Sequence, residues 1–114
     1  MVNRIVVGAH YGLRDWLAQR ITAVIMALYT VVILGVVLTG PPITFIAWRE
    51  LFTSGWMRVA TLLFAASLAW HAWVGVRDII MDYIQSTALR LTLEAIVLLT
   101  IACYVGWTVQ ILWR

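Results

Sequence analysis

Residues 21–39 read ITAVIMALYTVVILGVVLT, an unbroken run from Ile21 to Thr39 without one charged side chain. A helix rises about 1.5 Å per residue, so about 20 such residues cross a hydrocarbon layer of about 30 Å. Outward from this run the pattern recurs twice. Val59–Val76 contains one ionisable group, His71, and Leu91–Trp113 contains one acid, Glu94. Lipid offers no partner for backbone N–H and C=O groups, so stretches of this length must satisfy them internally, as helices. The sequence therefore predicts an all-α integral membrane protein with three transmembrane helices, at about residues 15–39, 56–80 and 88–113, forming a single membrane domain over 1–114.

Composition supports the same reading. Hydrophobic residues make up 64% of the chain and charged ones only 11%, with a mean hydropathy of +0.97. Soluble domains carry about a quarter charged residues. The first apolar run is too long for a signal-peptide core and is not followed by a small-residue cleavage site, so it is expected to stay in place as an anchor. Cys103 has no second cysteine to pair with and reads as a small packing residue.

All eight basic residues are arginine. Arg4, Arg14, Arg20, Arg77 and Arg90 fall at one end of an up-and-down arrangement, and Arg49, Arg58 and Arg114 at the other. The positive-inside bias then favours an N terminus in the cytoplasm, or its equivalent, and a C terminus on the far side of the membrane. Gly40-Pro41-Pro42 stops the first helix. Ile46–Phe52 reads as a short amphipathic segment at the membrane interface, and Thr53-Ser54-Gly55 as capping chemistry for the next helix. The second connection, around Asp82–Thr87, is short and free of Gly and Pro, so the second and third spans form a tight antiparallel hairpin. Trp56, Trp107 and Trp113 near span ends need only an interfacial role.

Chemistry concentrates at a few positions. His71 lies inside the second span, about 12 Å from its cytoplasmic end. An ionisable group at that depth faces a partner or a site. Two readings stay open: a neutral imidazole bonded to a neighbouring helix, or a metal or haem ligand. Gly75 and Ser67, one turn either side, would leave room for a flat macrocycle, and they equally suit close helix packing. His10 precedes the first span and belongs at headgroup depth, so a second axial histidine would have to come from another chain. Arg20 reads either as a snorkelling side chain or as a partner for a haem propionate. Asp82 comes eleven residues after His71, on nearly the same helical face. Tyr83 beside it reads as an interfacial aromatic or as a hydrogen-bond donor to a quinone carbonyl, with Asp82 orienting it or relaying protons. Glu94 follows Arg90 by one turn, which predicts an i, i+4 ion pair. His71, Asp82 and Glu94 could instead line a proton route in a small transporter or channel subunit, although no inverted repeat or broken span accompanies them.

Across Arg20-Ile21-Thr22-Ala23, His71-Ala72-Trp73-Val74-Gly75, Asp82-Tyr83 and Ala88-Leu89-Arg90-Leu91 the chain closely resembles the hydrophobic membrane anchor subunits of bacterial succinate dehydrogenase. The resemblance is to the smaller of two anchors that share one haem b. It implies that His71 is one axial ligand, the other coming from the larger anchor (cytochrome b). It further implies that Arg20 sits near the haem propionates, that Tyr83 hydrogen-bonds ubiquinone, and that Asp82 adjoins it. The implied partners are that second anchor, an iron–sulfur subunit and a flavoprotein subunit that oxidises succinate. Such a chain has no catalytic centre of its own. The sequence departs from the pattern at Glu94, where a neutral residue is expected, and at Arg14 before Asp15.

Overall fold

The structure is a computed structural model that describes residues 7–114. Arg4 and the side chain of His10 lie outside the described part. Four helices follow one another: α1 (Val7–Thr39), α2 (Phe45–Thr53), α3 (Gly55–Tyr83) and α4 (Thr87–Leu112). Three of them are long and apolar enough to cross a membrane, over Gly12–Thr39, Gly55–Tyr83 and Thr87–Leu112. No strand occurs among the described residues. The chain is an all-α membrane protein, as its apolar runs require.

The helices begin and end where local chemistry dictates. At Gly40 the chain turns out of α1, its N–H bonding the Val36 carbonyl at 2.9 Å. A Cβ at Gly40 would sit 2.5 Å from that same oxygen, so only glycine fits the turn. Thr44 then caps α2 by accepting from the Ala47 N–H. The observed cap on α3 differs from the anticipated one. Ser54 holds the N-cap position, but its hydroxyl donates backward to the Leu51 carbonyl at 2.6 Å and closes α2 instead. Ser86 caps α4 through the Leu89 N–H.

Threonines inside the apolar helices hide their hydroxyls on the preceding turn. Thr30, Thr39, Thr92, Thr100 and Thr108 each donate to the carbonyl four residues back, at 2.6–2.8 Å. That bond satisfies a polar group where neither water nor a partner is at hand.

α3 is central in space as well as in sequence. α1 and α4 both pack on it, with at most marginal contact between themselves, and α2 folds against it from one end. The outcome is a row of helices, 66 × 29 × 21 Å overall, rather than a bundle closed around an interior. Few side chains are fully buried; Met57 and Val74 of α3 are the largest. The remaining apolar surface, including Leu28, Val31, Leu38, Leu99 and Tyr104, faces outward and needs lipid or protein cover.

Candidate functional site

The α1–α3 seam brings together several polar groups of the two helices. Along α1 the residues Asp15, Gln19, Thr22 and Tyr29 follow at intervals of four, three and seven, which puts them on one face. The antiparallel α3 supplies a neighbour to each, although Gln19 Oε1 is buried without a hydrogen-bond partner among the described residues. Asp15 forms an ion pair with Arg77, both side chains being 29% accessible. Gln19 lies against Gly75, where a Cβ would sit 3.8 Å from its Nε2. Thr22 Oγ1 lies 3.0 Å from His71 Nδ1. Tyr29 bonds Thr61 through their hydroxyls at 2.8 Å and stacks on Phe64 at 4.6 Å between ring centroids. Small buried residues, Ala18 and Ser67, let the backbones approach.

His71 is therefore fixed by α1 through one nitrogen. Its ring is half-buried, and among the described residues nothing hydrogen-bonds Nε2. That is the state an imidazole ligand requires: one nitrogen tethered, the other with an unused valence. Gly75 faces Gln19 of α1, where a Cβ would make only an ordinary van der Waals contact, so this small residue has a helix-packing neighbour. Two of the most pronounced clefts lie at opposite ends of the molecule, and His71 lines neither. One histidine on an open row of helices can donate to a haem iron but cannot enclose the group. The donor set fits half of a bis-histidine site. Among the described residues no cluster of three or more His, Cys, Asp or Glu side chains could hold a metal ion by itself.

Arg20 is exposed, two residues from Thr22, with its guanidinium 5.0 Å from the centre of the Trp16 ring. Stacking on an indole keeps the cation at the surface with its donors available. Asp82 and Tyr83 belong to the last turn of α3, where the sequence placed them after the span, and the connection shrinks to Ile84–Ser86. Tyr83 is 79% exposed, and among the described residues neither its hydroxyl nor the Asp82 carboxylate has a hydrogen-bond partner. Helical geometry puts Tyr83 about 18 Å along α3 from His71 and about 120° around it. Asp82 shares the His71 face at about 16 Å. The structure thus brings His71 and Arg20 to one level and leaves Asp82 and Tyr83 at the end of the helix.

The ion pair expected between Arg90 and Glu94 does not form. Arg90 reaches back instead and donates to the carbonyls of Ile84 and Met81. Those oxygens lie at the end of α3, where backbone acceptors outnumber donors, and they outcompete a carboxylate on the far side of the arginine. Glu94 lines an open cleft of about 600 Å³ with Asp15, Arg77, Asp78 and Arg90. His71 and Asp82 both stand outside that cleft. Sequence reasoning missed Thr22, Gln19 and the Asp15–Arg77 pair as members of the site. The signal was the polar stripe on α1, visible at helical spacing in an otherwise apolar segment.

Fold and site together define a three-span integral membrane protein whose central helix carries a tethered, half-exposed histidine. Residues 3–107 match the succinate dehydrogenase/fumarate reductase transmembrane subunit family. The chain is 38% identical over 102 residues to a succinate dehydrogenase hydrophobic membrane anchor subunit of Coxiella burnetii, covering 90% of this chain and 89% of that protein. It is 35% identical over 107 residues to the subunit of the same name in Rickettsia felis, covering 89% and 88% respectively. The chain belongs to this family, and within it to the membrane anchor subunits of succinate dehydrogenase.

Proposed function

We propose that this anchor supplies one axial ligand, His71, to a haem b shared with a second anchor subunit, and one side of a quinone site at Tyr83. The observation that carries the reading is the imidazole held by α1 through Nδ1 in the middle of the central helix, with Nε2 unused. Held by His71 and by an imidazole of the second anchor, a haem would supply one-electron transfer, and this chain's part would be to hold and orient it. Arg20, at the same level, pairs with a propionate. The open row of helices explains why a second anchor is required: it closes the face that α3 leaves uncovered.

At the end of α3, the Tyr83 phenol donates a hydrogen bond to a quinone carbonyl, and the adjacent Asp82 orients that phenol or hands on protons. Reduction of the quinone to quinol takes two electrons and two protons, so a titratable carboxylate beside the carbonyl is chemically apt. Ubiquinone is the quinone that the family resemblance implies. The electrons come from succinate through the flavoprotein and iron–sulfur subunits, which dock on the cytoplasmic face. Arg14, Arg20, Arg77 and Arg90 gather at this same end, and Arg49, Arg58 and Arg114 at the other. This bias supports a cytoplasmic N terminus and a periplasmic C terminus, in the bacterial inner membrane that the family resemblance implies.

The test uses the whole complex purified from membranes. His71→Leu should abolish the low-spin haem b absorption spectrum; an unaltered spectrum would refute the ligand assignment. Tyr83→Phe should slow quinone reduction about tenfold, the worth of one hydrogen bond of about 1.4 kcal/mol. Succinate oxidation by an artificial acceptor should stay within about twofold of the parent, since the Tyr83 hydroxyl touches only the quinone step. Equal losses in both assays would remove Tyr83 from the quinone site.

A further inference from the structure

Thr22 is 3% accessible, and its hydroxyl has three polar neighbours but one proton. The Ala18 carbonyl oxygen lies 2.5 Å away, the Gln19 carbonyl oxygen 3.3 Å away, and His71 Nδ1 3.0 Å away. Both carbonyls can only accept. Were the hydroxyl proton turned toward His71, the Thr22 and Ala18 oxygens would face each other at 2.5 Å, lone pair to lone pair, in a buried seam. That contact is tolerable only with a proton between the two oxygens. The Thr22 proton therefore belongs to the Ala18 bond, and the hydrogen of the 3.0 Å bond belongs to Nδ1. A neutral imidazole with hydrogen on Nδ1 has its lone pair on Nε2.

We infer that Thr22 is the positioning residue of the haem ligand: it selects the Nδ1–H tautomer of His71, locks the ring, and tunes the iron's potential through the imidazole. The inference rests on the haem reading given above. The series runs from Nδ1–H to Oγ1 of Thr22, and from Oγ1–H to the Ala18 carbonyl. Each bond polarises the next. A hydrogen bond accepted from Nδ1–H makes Nε2 a stronger electron donor, and a stronger donor favours ferric over ferrous iron. The carbonyl at the end of the series belongs to the α1 backbone, so the helix itself sets the donor strength of a ligand on α3. Removing the hydroxyl should raise the haem potential and free the ring to rotate.

The experiment compares Thr22→Val, Thr22→Ala and Thr22→Ser with the parent in the intact, membrane-extracted complex. Its readouts are haem content, the haem midpoint potential by redox titration, and the low-spin ferric electron-paramagnetic-resonance line positions. For Thr22→Val and Thr22→Ala the reduced-to-oxidised ratio at a fixed poise should rise about tenfold, equivalent to about 59 mV for a one-electron couple. The resonance lines should shift as the ring loses its tether. Thr22→Ser keeps the hydroxyl and should restore both. Unchanged potential and lines at full haem occupancy in Thr22→Val and Thr22→Ala would overturn the inference while leaving the haem assignment intact. If Thr22→Val does not assemble, Thr22→Ala against Thr22→Ser decides: equal shifts in both would show that packing, and not the hydroxyl, is responsible. A parent complex with no low-spin haem would overturn both ideas, and His71→Leu would then change nothing in the spectrum.

Discussion

Breaking the ion pair at the end of the α1–α3 seam should loosen the two helices by a predictable amount. Asp15 and Arg77 are each 29% accessible, between the fully exposed and fully buried limits. Exposed pairs contribute about 0.2–1 kcal/mol in double-mutant cycles, and removing one partner of a buried pair costs about 3–5 kcal/mol. Arg77 Nε is buried with no partner among the described residues, so the guanidinium already relies on its other nitrogens for compensation. Discounting for the solvent that reaches both groups, Asp15→Ala should destabilise the helix pair by about 1.5–2 kcal/mol, and Asp15→Asn by less, because an amide oxygen still accepts. The coupling energy from Asp15→Asn, Arg77→Gln and the double variant should be about 1 kcal/mol. The assay is the unfolding midpoint of the detergent-solubilised protein in a denaturing-detergent titration. Raising ionic strength from about 0.1 M to 1 M shortens the screening length from about 10 Å to 3 Å and should remove less than half of the coupling, since the pair is partly sheltered. Coupling below about 0.3 kcal/mol, or coupling that vanishes in salt, would refute the idea that this pair holds the seam.

Two other expectations follow from the same contacts. Tyr29→Phe, which removes the hydroxyl bond to Thr61 and keeps the stack on Phe64, should cost about 0.5–1 kcal/mol in the same titration, and Thr61→Val should add little once Tyr29 is changed. Arg90→Gln withdraws the side chain that ties α4 to the end of α3; it should cost about 1–2 kcal/mol, whereas Glu94→Gln should change stability by less than about 0.5 kcal/mol, and the reverse ranking would restore an Arg90–Glu94 pair.

The spans were legible because lipid imposes a constraint that composition answers directly: no charge between Ile21 and Thr39, then Gly40-Pro41-Pro42 to end the run. α2 was legible for a similar reason, its apolar and polar residues alternating at helical spacing over Ile46–Phe52. The end of α3 was harder to read. Nothing between Met81 and Tyr83 breaks a helix, and polarity alone does not, so Asp82 and Tyr83 stay helical. Arg90 was misread because local spacing names a partner four residues on, while the bare carbonyls of a neighbouring helix end are stronger competitors. His71 stood out as an ionisable group at depth, but its tether did not. Thr22 looks like any threonine in an apolar helix until α1 and α3 are set in register, and that register depends on both helices at once.

Register is where the seam and the site meet. Between apolar helices in lipid there is no hydrophobic force to choose one alignment over another, so packing of small residues and a few polar bonds must choose it. Asp15 precedes Thr22 by seven residues and Arg77 follows His71 by six, roughly 10 Å in each helix. A slip of α1 by one turn, about 5.4 Å, would break the ion pair and carry the Thr22 hydroxyl away from the imidazole in the same movement. The ion pair at the end of the seam thus specifies the alignment on which the buried hydrogen bond depends, although it never touches the histidine. Each contact is worth only a kilocalorie or two, yet they select the same register, and agreement among weak contacts is what singles out one arrangement from many. On that argument a variant at Asp15 should perturb the His71 environment without contacting it, and a variant at Tyr29, which the slip would displace as well, should do so in the same direction.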